Sequence, residues 1–201
     1  MKVLFATKNK SKIERFKSGL EEKGVEILTI NDICEPVTVD ESGKTCIENA
    51  LIKARAYAKV SKLPVFAIDD SLYIEGIPLE KQPGVYVRRV NGKELTDSEM
   101  IKYYSNLAHK YGKNGKLICK WVYGMAVINN DKEHTYTWSK DDFYIVDKPS
   151  NIINQGYPLN SISINKKLNK YFSEITKTDK KKVNYDESDV IDFIYKSLLK
   201  D

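Results

Sequence analysis

Three short apolar runs alternate with two stretches of helical spacing inside the first 68 residues, and little else about the chain restricts its fold so strongly. Val3 to Ala6, Val25 to Ile30 and Pro64 to Ile68 each read as a buried strand. Between the first two runs, Ile13, Phe16 and Leu20 recur at helical spacing, and Gly24 supplies a stop. Residues 31–44 hold Pro36 and Gly43 and read as irregular. Thr45-x-x-Glu48 then forms a capping-box signature ahead of Ile47, Ala50, Leu51, Ala54 and Ala58.

The remainder is less regular. Leu72 to Ile77 reads as a continuation of the third strand, and residues 78–92, with two prolines and two glycines, as a loop. Thr96-x-x-Glu99 caps a helix carrying Met100, Ile101, Tyr104, Leu107 and Ala108. Residues 117–128 and 133–146 flank an Asn129-Asn130-Asp131-Lys132 turn and predict a long hairpin. Residues 149–160 read as a loop, 168–176 as a helix or turn, and 187–199 as a last helix. A β-α-β-α-β start followed by hairpins and helices predicts an α/β class with a mixed sheet. With 201 residues, no repeat and no low-complexity linker, one domain is expected, with room for two lobes.

Composition narrows the function classes. A net charge of +5 is compatible with an anionic small molecule and too weak to indicate nucleic acid. Three scattered cysteines, Cys34, Cys46 and Cys119, form no C-x-x-C pair, so a disulfide framework or thiolate zinc site is not expected and a reducing compartment is. Two histidines, His109 and His134, leave little material for a histidine metal site or a Ser-His-Asp triad. Any metal would be held by oxygen, magnesium first and manganese as the alternative. No apolar run approaches the roughly 20 residues of a membrane helix, and the expectation is a cytoplasmic protein without a membrane partner.

Four constellations could carry chemistry. Thr7-Lys8-Asn9-Lys10-Ser11-Lys12 precedes a helix, where backbone N–H groups and the dipole favour anions. It lacks the glycines of a Walker loop, and a solvated lysine-rich turn is the plainer reading of it taken alone. Asp69-Asp70-Ser71 closes a buried strand, where ligand sites of open α/β sheets lie. If the strand continues, the two carboxylates point to opposite faces; a polar strand end or helix cap explains the segment equally. Asp40-Glu41-Ser42-Gly43 offers a second carboxylate for magnesium, or merely an acidic turn. Pro83-Gly84-Val85-Tyr86-Val87-Arg88-Arg89 ends in two arginines that suit an anion or simply face water.

The order of these pieces carries more than any one of them. Thr7-x-Asn9-x-x-Lys12, Glu41-x-Gly43-x-Thr45-x-x-Glu48-Asn49-Ala50-x-x-Lys53-Ala54, Asp69-Asp70-Ser71 and Pro83-Gly84-Val85-Tyr86 resemble the inosine triphosphate pyrophosphatase family. Its pattern runs A-T-x-N-x-x-K, E-x-G-x-T-F-x-E-N-A-x-x-K-A, D-D-S-G-L, then P-G-x-Y-S-A-R. The resemblance implies a two-lobed α/β domain over residues 1–201, with an elongated mixed sheet flanked by helices and a central cleft. It also implies a homodimer, a magnesium ion, and cleavage of a non-standard purine nucleoside triphosphate (ITP, XTP or dITP) to monophosphate and pyrophosphate. By position, Thr7, Asn9, Lys12 and Lys53 would hold phosphates. Asp70 would be the catalytic carboxylate and, with Glu41, a metal ligand; Ser71, Tyr157 and Lys180 would contact substrate.

The carboxyl-terminal third departs from that pattern. Gln155-Gly156-Tyr157-Pro158-Leu159 stands where the family has F-G-Y-D-P, and Asn184-Tyr185-Asp186 where it has S-H-R. Asp186 exchanges donors for acceptors, so an altered base preference is expected, with Tyr157 or Tyr185 as replacement stacking rings. Leu72 replaces the glycine after Asp-Asp-Ser, and Arg15 a glutamate. A non-catalytic nucleotide-binding protein on the same fold is the alternative function.

Overall fold

The computed structural model describes residues 1–33, 37–182 and 187–200. Its elements are β1 (Lys2–Phe5), α1 (Lys10–Glu21), β2 (Glu26–Thr29), α2 (Ile30–Ile33), α3 (Cys46–Ala58), β3 (Val65–Ile74), β4 (Arg89–Val90), β5 (Lys93–Glu94) and α4 (Asp97–Tyr111). There follow β6 (Lys116–Asn129), β7 (Lys132–Lys140), β8 (Phe143–Val146), β9 (Ser163–Asn165), β10 (Lys170–Tyr171), α5 (Lys177–Lys182) and α6 (Ser188–Leu198). The large sheet runs in the order β10-β9-β8-β6-β3-β1-β2, with β7 pairing β6. β1 is parallel to β2 and β3, whereas β6-β8, β8-β9 and β9-β10 are antiparallel. The class is α/β with a mixed sheet flanked by helices, as the alternation of runs predicts.

Two compact units divide the chain. The first comprises residues 1–70, 123–138 and 186–201. Its sheet is covered on both faces, and residue parity says by what. Val3 and Phe5 of β1, with Phe66 and Ile68 of β3, join Phe16 and Leu20 of α1 and Ile194 of α6. Leu4 and Ala6, with Val65 and Ala67, join Ala50, Ala54 and Tyr57 of α3. Alternate residues of a strand face opposite ways, so α1 and α6 cover one side and α3 the other. α6 approaches α1 closely at Gly19, where a Cβ would stand 2.2 Å from Ile191 Cδ1. α3 approaches β6 at Gly124, where a Cβ would meet the Ile47 backbone nitrogen at 2.5 Å.

The second unit comprises residues 71–122 and 139–185. Its core gathers Leu72 and Ile74 of β3, Met100, Tyr104 and Leu107 of α4, Leu117 and Cys119 of β6, and Phe143 and Ile145 of β8.

Both capping boxes form: Thr45 Oγ1 accepts from the Glu48 N–H, Thr96 Oγ1 from the Glu99 N–H, and each glutamate reaches back. Gly24 ends the first helical segment at φ +73°. The Asn130-Asp131 turn has φ +47° and +61°, the left-handed pair a tight hairpin needs.

β3 runs on through Asp69 and Asp70 to Ile74, in line with the continuation expected over residues 72–77, so the two aspartates lie within a strand. Three expectations change. Residues 31–44 are not wholly irregular: α2 occupies Ile30–Ile33, and Asp32 accepts from the Thr29 N–H and hydroxyl. The loop 78–92 contains β4, joined to β5 by Asn91 and Gly92 at φ +49° and +78°, a turn pair the composition-based reading passes over. The segment 133–146 is two strands. β7 ends at Lys140 and β8 begins at Phe143, because Asp142 is drawn to β9: its carbonyl accepts from the Lys166 N–H and its carboxylate from Asn165 Nδ2.

Candidate active site

The loop from β1 to α1 is built as a helix cap. Asn9 Oδ1 accepts from the Lys12 N–H at 3.3 Å, Thr7 Oγ1 accepts from the Asn9 N–H at 3.2 Å, and the Asn9 carbonyl takes the first intrahelical bond from Ile13. Asn9 therefore fixes the start of α1, a role that Ser, Thr, Asp and Asn fill best. Lys12, one turn in, faces the sheet and pairs with the Asp70 carboxylate.

Asp69 turns the other way. Its Oδ1 accepts from Lys53 Nζ at 2.8 Å, and the same ammonium donates to Glu41 Oε2 at 3.1 Å. The parity that sends Phe66 and Ile68 toward α1 sends Asp70 there, and the parity that sends Val65 and Ala67 toward α3 sends Asp69 to its Lys53. The result is two ion-paired groups on the two faces of one strand, Lys12–Asp70 and Asp69–Lys53–Glu41. Side chains of Lys53 and Asp69 are each 13% exposed, and that of Asp70 28%, so the pairs lie partly out of water.

Their protonation follows from this. Burial pushes Asp70 up, but Lys12, with Lys53 and Arg15 further off, outweighs it and holds the carboxyl below its usual range. Burial raises Asp69 too, and there Lys53 and Lys12 do not fully offset it, so Asp69 lies above the usual range. Lys53 loses charge preference to burial and regains more from Asp69 and Glu41, ending raised. Asp70 is thus the carboxylate held ionised.

Thr7, Asn9, Lys12, Glu41, Lys53 and Asp70 all lie in the first unit. Within it, Lys12 meets Asp70 and Lys53 meets Glu41, whereas Glu41 is linked through Lys53 to Asp69 rather than to Asp70. No group of three metal-ligating side chains is gathered among the described residues. Asp69 is the partner missed from the sequence; a strand continuing past it is the signal that reveals it.

Arg15, one turn beyond Lys12, is a second such residue. Its Nη2 donates to both carboxylate oxygens of Glu187 at 2.7 and 2.9 Å. Its guanidinium lies 4.8 Å from the Tyr123 ring centre and 5.8 Å from that of Trp138, rings that stack on each other. A planar cation suits such a place.

Ser71 and Tyr157 belong to the second unit. Ser71 is 1% exposed and its hydroxyl donates to the Val122 carbonyl at 3.4 Å. That places it between β3 and β6, engaged with the backbone. Tyr157 is 39% exposed, at the start of a short turn of helix over Pro158–Ser161. The side chain of Lys180 and all of Asn184-Tyr185-Asp186 lie outside the described residues.

Comparison with known proteins agrees with this arrangement of motifs. The family model described as the Ham1 family matches residues 3–186. A protein of Thermoanaerobacter pseudethanolicus named dITP/XTP pyrophosphatase is 32% identical over 187 residues, covering 92% of this chain and 90% of its own. One of Bacillus subtilis with the same name is 30% identical over 185 residues, covering 90% and 89%. One of Campylobacter fetus, also so named, is 40% identical over 115 residues; there the matched part spans 55% of each chain, about half the length. The fold matches the solved Ham1 protein of Staphylococcus aureus with a TM-score of 0.74 at 21% identity, over 98% of this chain and all (100%) of that one.

Proposed function

Since the chain belongs to the Ham1 family, we propose that it hydrolyses a non-standard purine nucleoside triphosphate, of the dITP, XTP and ITP kind, to the monophosphate and pyrophosphate. The observation that carries the reading is the ionised Asp70 paired with Lys12 at the amino-terminal turn of α1, back to back with Asp69–Lys53–Glu41. Relatives that match about nine-tenths of the chain bear the name dITP/XTP pyrophosphatase, which supports the reaction class.

The chemistry asked of these residues is mostly positioning and charge neutralisation. Thr7, Asn9 and the positive end of α1 would receive phosphate oxygens, with Lys12 and Lys53 turning from carboxylates to phosphates as substrate arrives. Released from Lys12, Asp70 accepts a hydrogen bond from the attacking water and aligns it on the α-phosphorus. The pyrophosphate leaves with its charge matched by lysine. Ser71 is the expected substrate contact that fits least, because its hydroxyl is buried against β6. Lys180, on the resemblance alone, remains assigned to substrate.

The donor types, carboxylates only, suit a hard divalent cation, magnesium or manganese, which Asp70 and substrate oxygens would hold; Glu41, the second ligand the resemblance names, sits with Lys53 and Asp69 on the other face of β3 and does not meet Asp70 here. When bound, such an ion neutralises charge that builds on the phosphates. We further place the protein as a two-lobed single domain acting as a homodimer in the cytoplasm. Support is that β3 and β6 each continue from one unit into the other, that Cys46 and Cys119 are buried free thiols, and that no helix among the described residues is long and apolar enough to cross a membrane.

The test is pyrophosphate release with magnesium over ITP, XTP, dITP and the standard nucleotides. Release from the first three, lost in Asp70→Asn, is the expected result. Binding of nucleotide without turnover of any would replace the enzyme by a nucleotide-binding protein.

A further inference from the structure

Asp97 opens α4, and its two carboxylate oxygens serve different partners. Oδ1 accepts from Arg88 Nη1 at 2.9 Å, and Oδ2 accepts from the Gly156 backbone N–H at 2.8 Å. Arg88 is itself fixed, because the same Nη1 donates to the Leu95 carbonyl at 3.0 Å. The turn that receives this tie closes on itself. The Tyr157 N–H donates to the Asn154 carbonyl, the Asn160 N–H to the Tyr157 carbonyl, and Asn160 Nδ2 to Asn154 Oδ1 at 3.3 Å. Gly156 holds φ +80°, a conformation glycine leaves as easily as it enters, so the turn needs an external anchor to keep one shape. A carboxylate accepting from a backbone N–H is a strong anchor. All seven residues lie in one unit.

Two departures from the family pattern meet at this point. Arg88 stands where P-G-x-Y-S-A-R has alanine, and Gln155, beside the anchored N–H, stands where F-G-Y-D has phenylalanine. Gln155 stands where the resemblance implies a stacking ring; of the two replacements expected, Tyr157 and Tyr185, the half-exposed Tyr157 is the one that lies among the described residues. We propose that Asp97, held by Arg88, is a positioning residue that fixes where Tyr157 stands and thereby the choice of nucleotide base. This rests on the reading of Tyr157 as a base contact.

The experiment measures dITP affinity by calorimetry and steady-state pyrophosphate release for the full chain, Asp97→Ala, Tyr157→Ala and the double variant, with melting curves for each. Asp97→Ala and Tyr157→Ala are each expected to weaken dITP binding by about tenfold, with kcat changed by no more than about twofold. The double variant is expected to bind no more weakly than Tyr157→Ala alone. Asp97→Asn, whose one amide oxygen can keep the Gly156 N–H but not the Arg88 pair, and Arg88→Met, which removes the same pair, are expected to match each other and to weaken dITP binding by less than Asp97→Ala does; these two carry the test if Asp97→Ala does not fold. Losses that add in the double variant, or an unchanged dITP affinity in Asp97→Ala while Tyr157→Ala is impaired, would overturn the positioning role alone. Unchanged affinity in Tyr157→Ala would remove the base-contact reading, and the positioning role with it.

Discussion

Asp69 and Asp70 are adjacent in sequence and opposite in circumstance. Asp70 is held below the usual range by Lys12, so its contribution to stability is present above about pH 4 and is lost as pH falls through its lowered value. Asp69 is raised by burial, so its charge weighs on the fold near neutrality and is relieved as pH falls through its raised value. Lys53→Met removes the cation that both Asp69 and Glu41 face, and is expected to cost about 3 kcal/mol at pH 7. Urea midpoints against pH check this: the deficit should shrink toward acid, as Asp69 takes up a proton. Lys12→Ala is expected to lower turnover by roughly 10²–10³ and also to lower the melting temperature, since it leaves the Asp70 carboxylate without the cation that offsets its burial. The identities of Lys12, Lys53 and Asp70 are readable from motif order. The meeting of Asp69 and Glu41 on the one Lys53 ammonium is not, because it depends on which residues of β3 face α3.

At the level of elements, the sequence is most legible where a local rule decides the outcome. Thr45-x-x-Glu48 and Thr96-x-x-Glu99 both predict a helix start and both form one. Thr45→Ala should therefore cost about 1 kcal/mol, seen as a lowered denaturation midpoint. Legibility fails where tertiary partners decide. The break between β7 and β8 is set by the Asp142 bonds to Asn165 and Lys166, more than twenty residues away, which no window of local sequence contains. Gly124 is a similar case. Nothing in its run of apolar neighbours marks it, yet its missing side chain lets β6 touch the first turn of α3 at the Ile47 backbone. Gly124→Ala is expected to destabilise the protein by about 3 kcal/mol through overpacking against backbone, measurable by thermal melting.

For the whole molecule, acid stability is the property these charges govern. Glu99 is lowered to about 2 by Lys93 and by the Thr96 backbone and hydroxyl. Asp179 is lowered to about 2 by the Thr176 backbone and hydroxyl and by Lys170. Groups depressed in this way favour the folded state above their ordinary values of 4.5 and 3.8, and cease to do so as pH falls toward about 2. Unfolding measured from pH 5 to pH 2 should show stability falling throughout, with a shallower slope in Glu99→Gln and Asp179→Asn.

β3 carries one more consequence, for how a gene encoding it can change. Which aspartate meets which lysine depends on whether its count along the strand is odd or even. A single codon inserted or deleted between Val65 and Asp69 would exchange the two carboxylates and turn the hydrophobic residues beyond the lesion onto the wrong layers, whereas a substitution at one position disturbs only that position. Lineages can therefore vary the letters of this strand far more freely than its length.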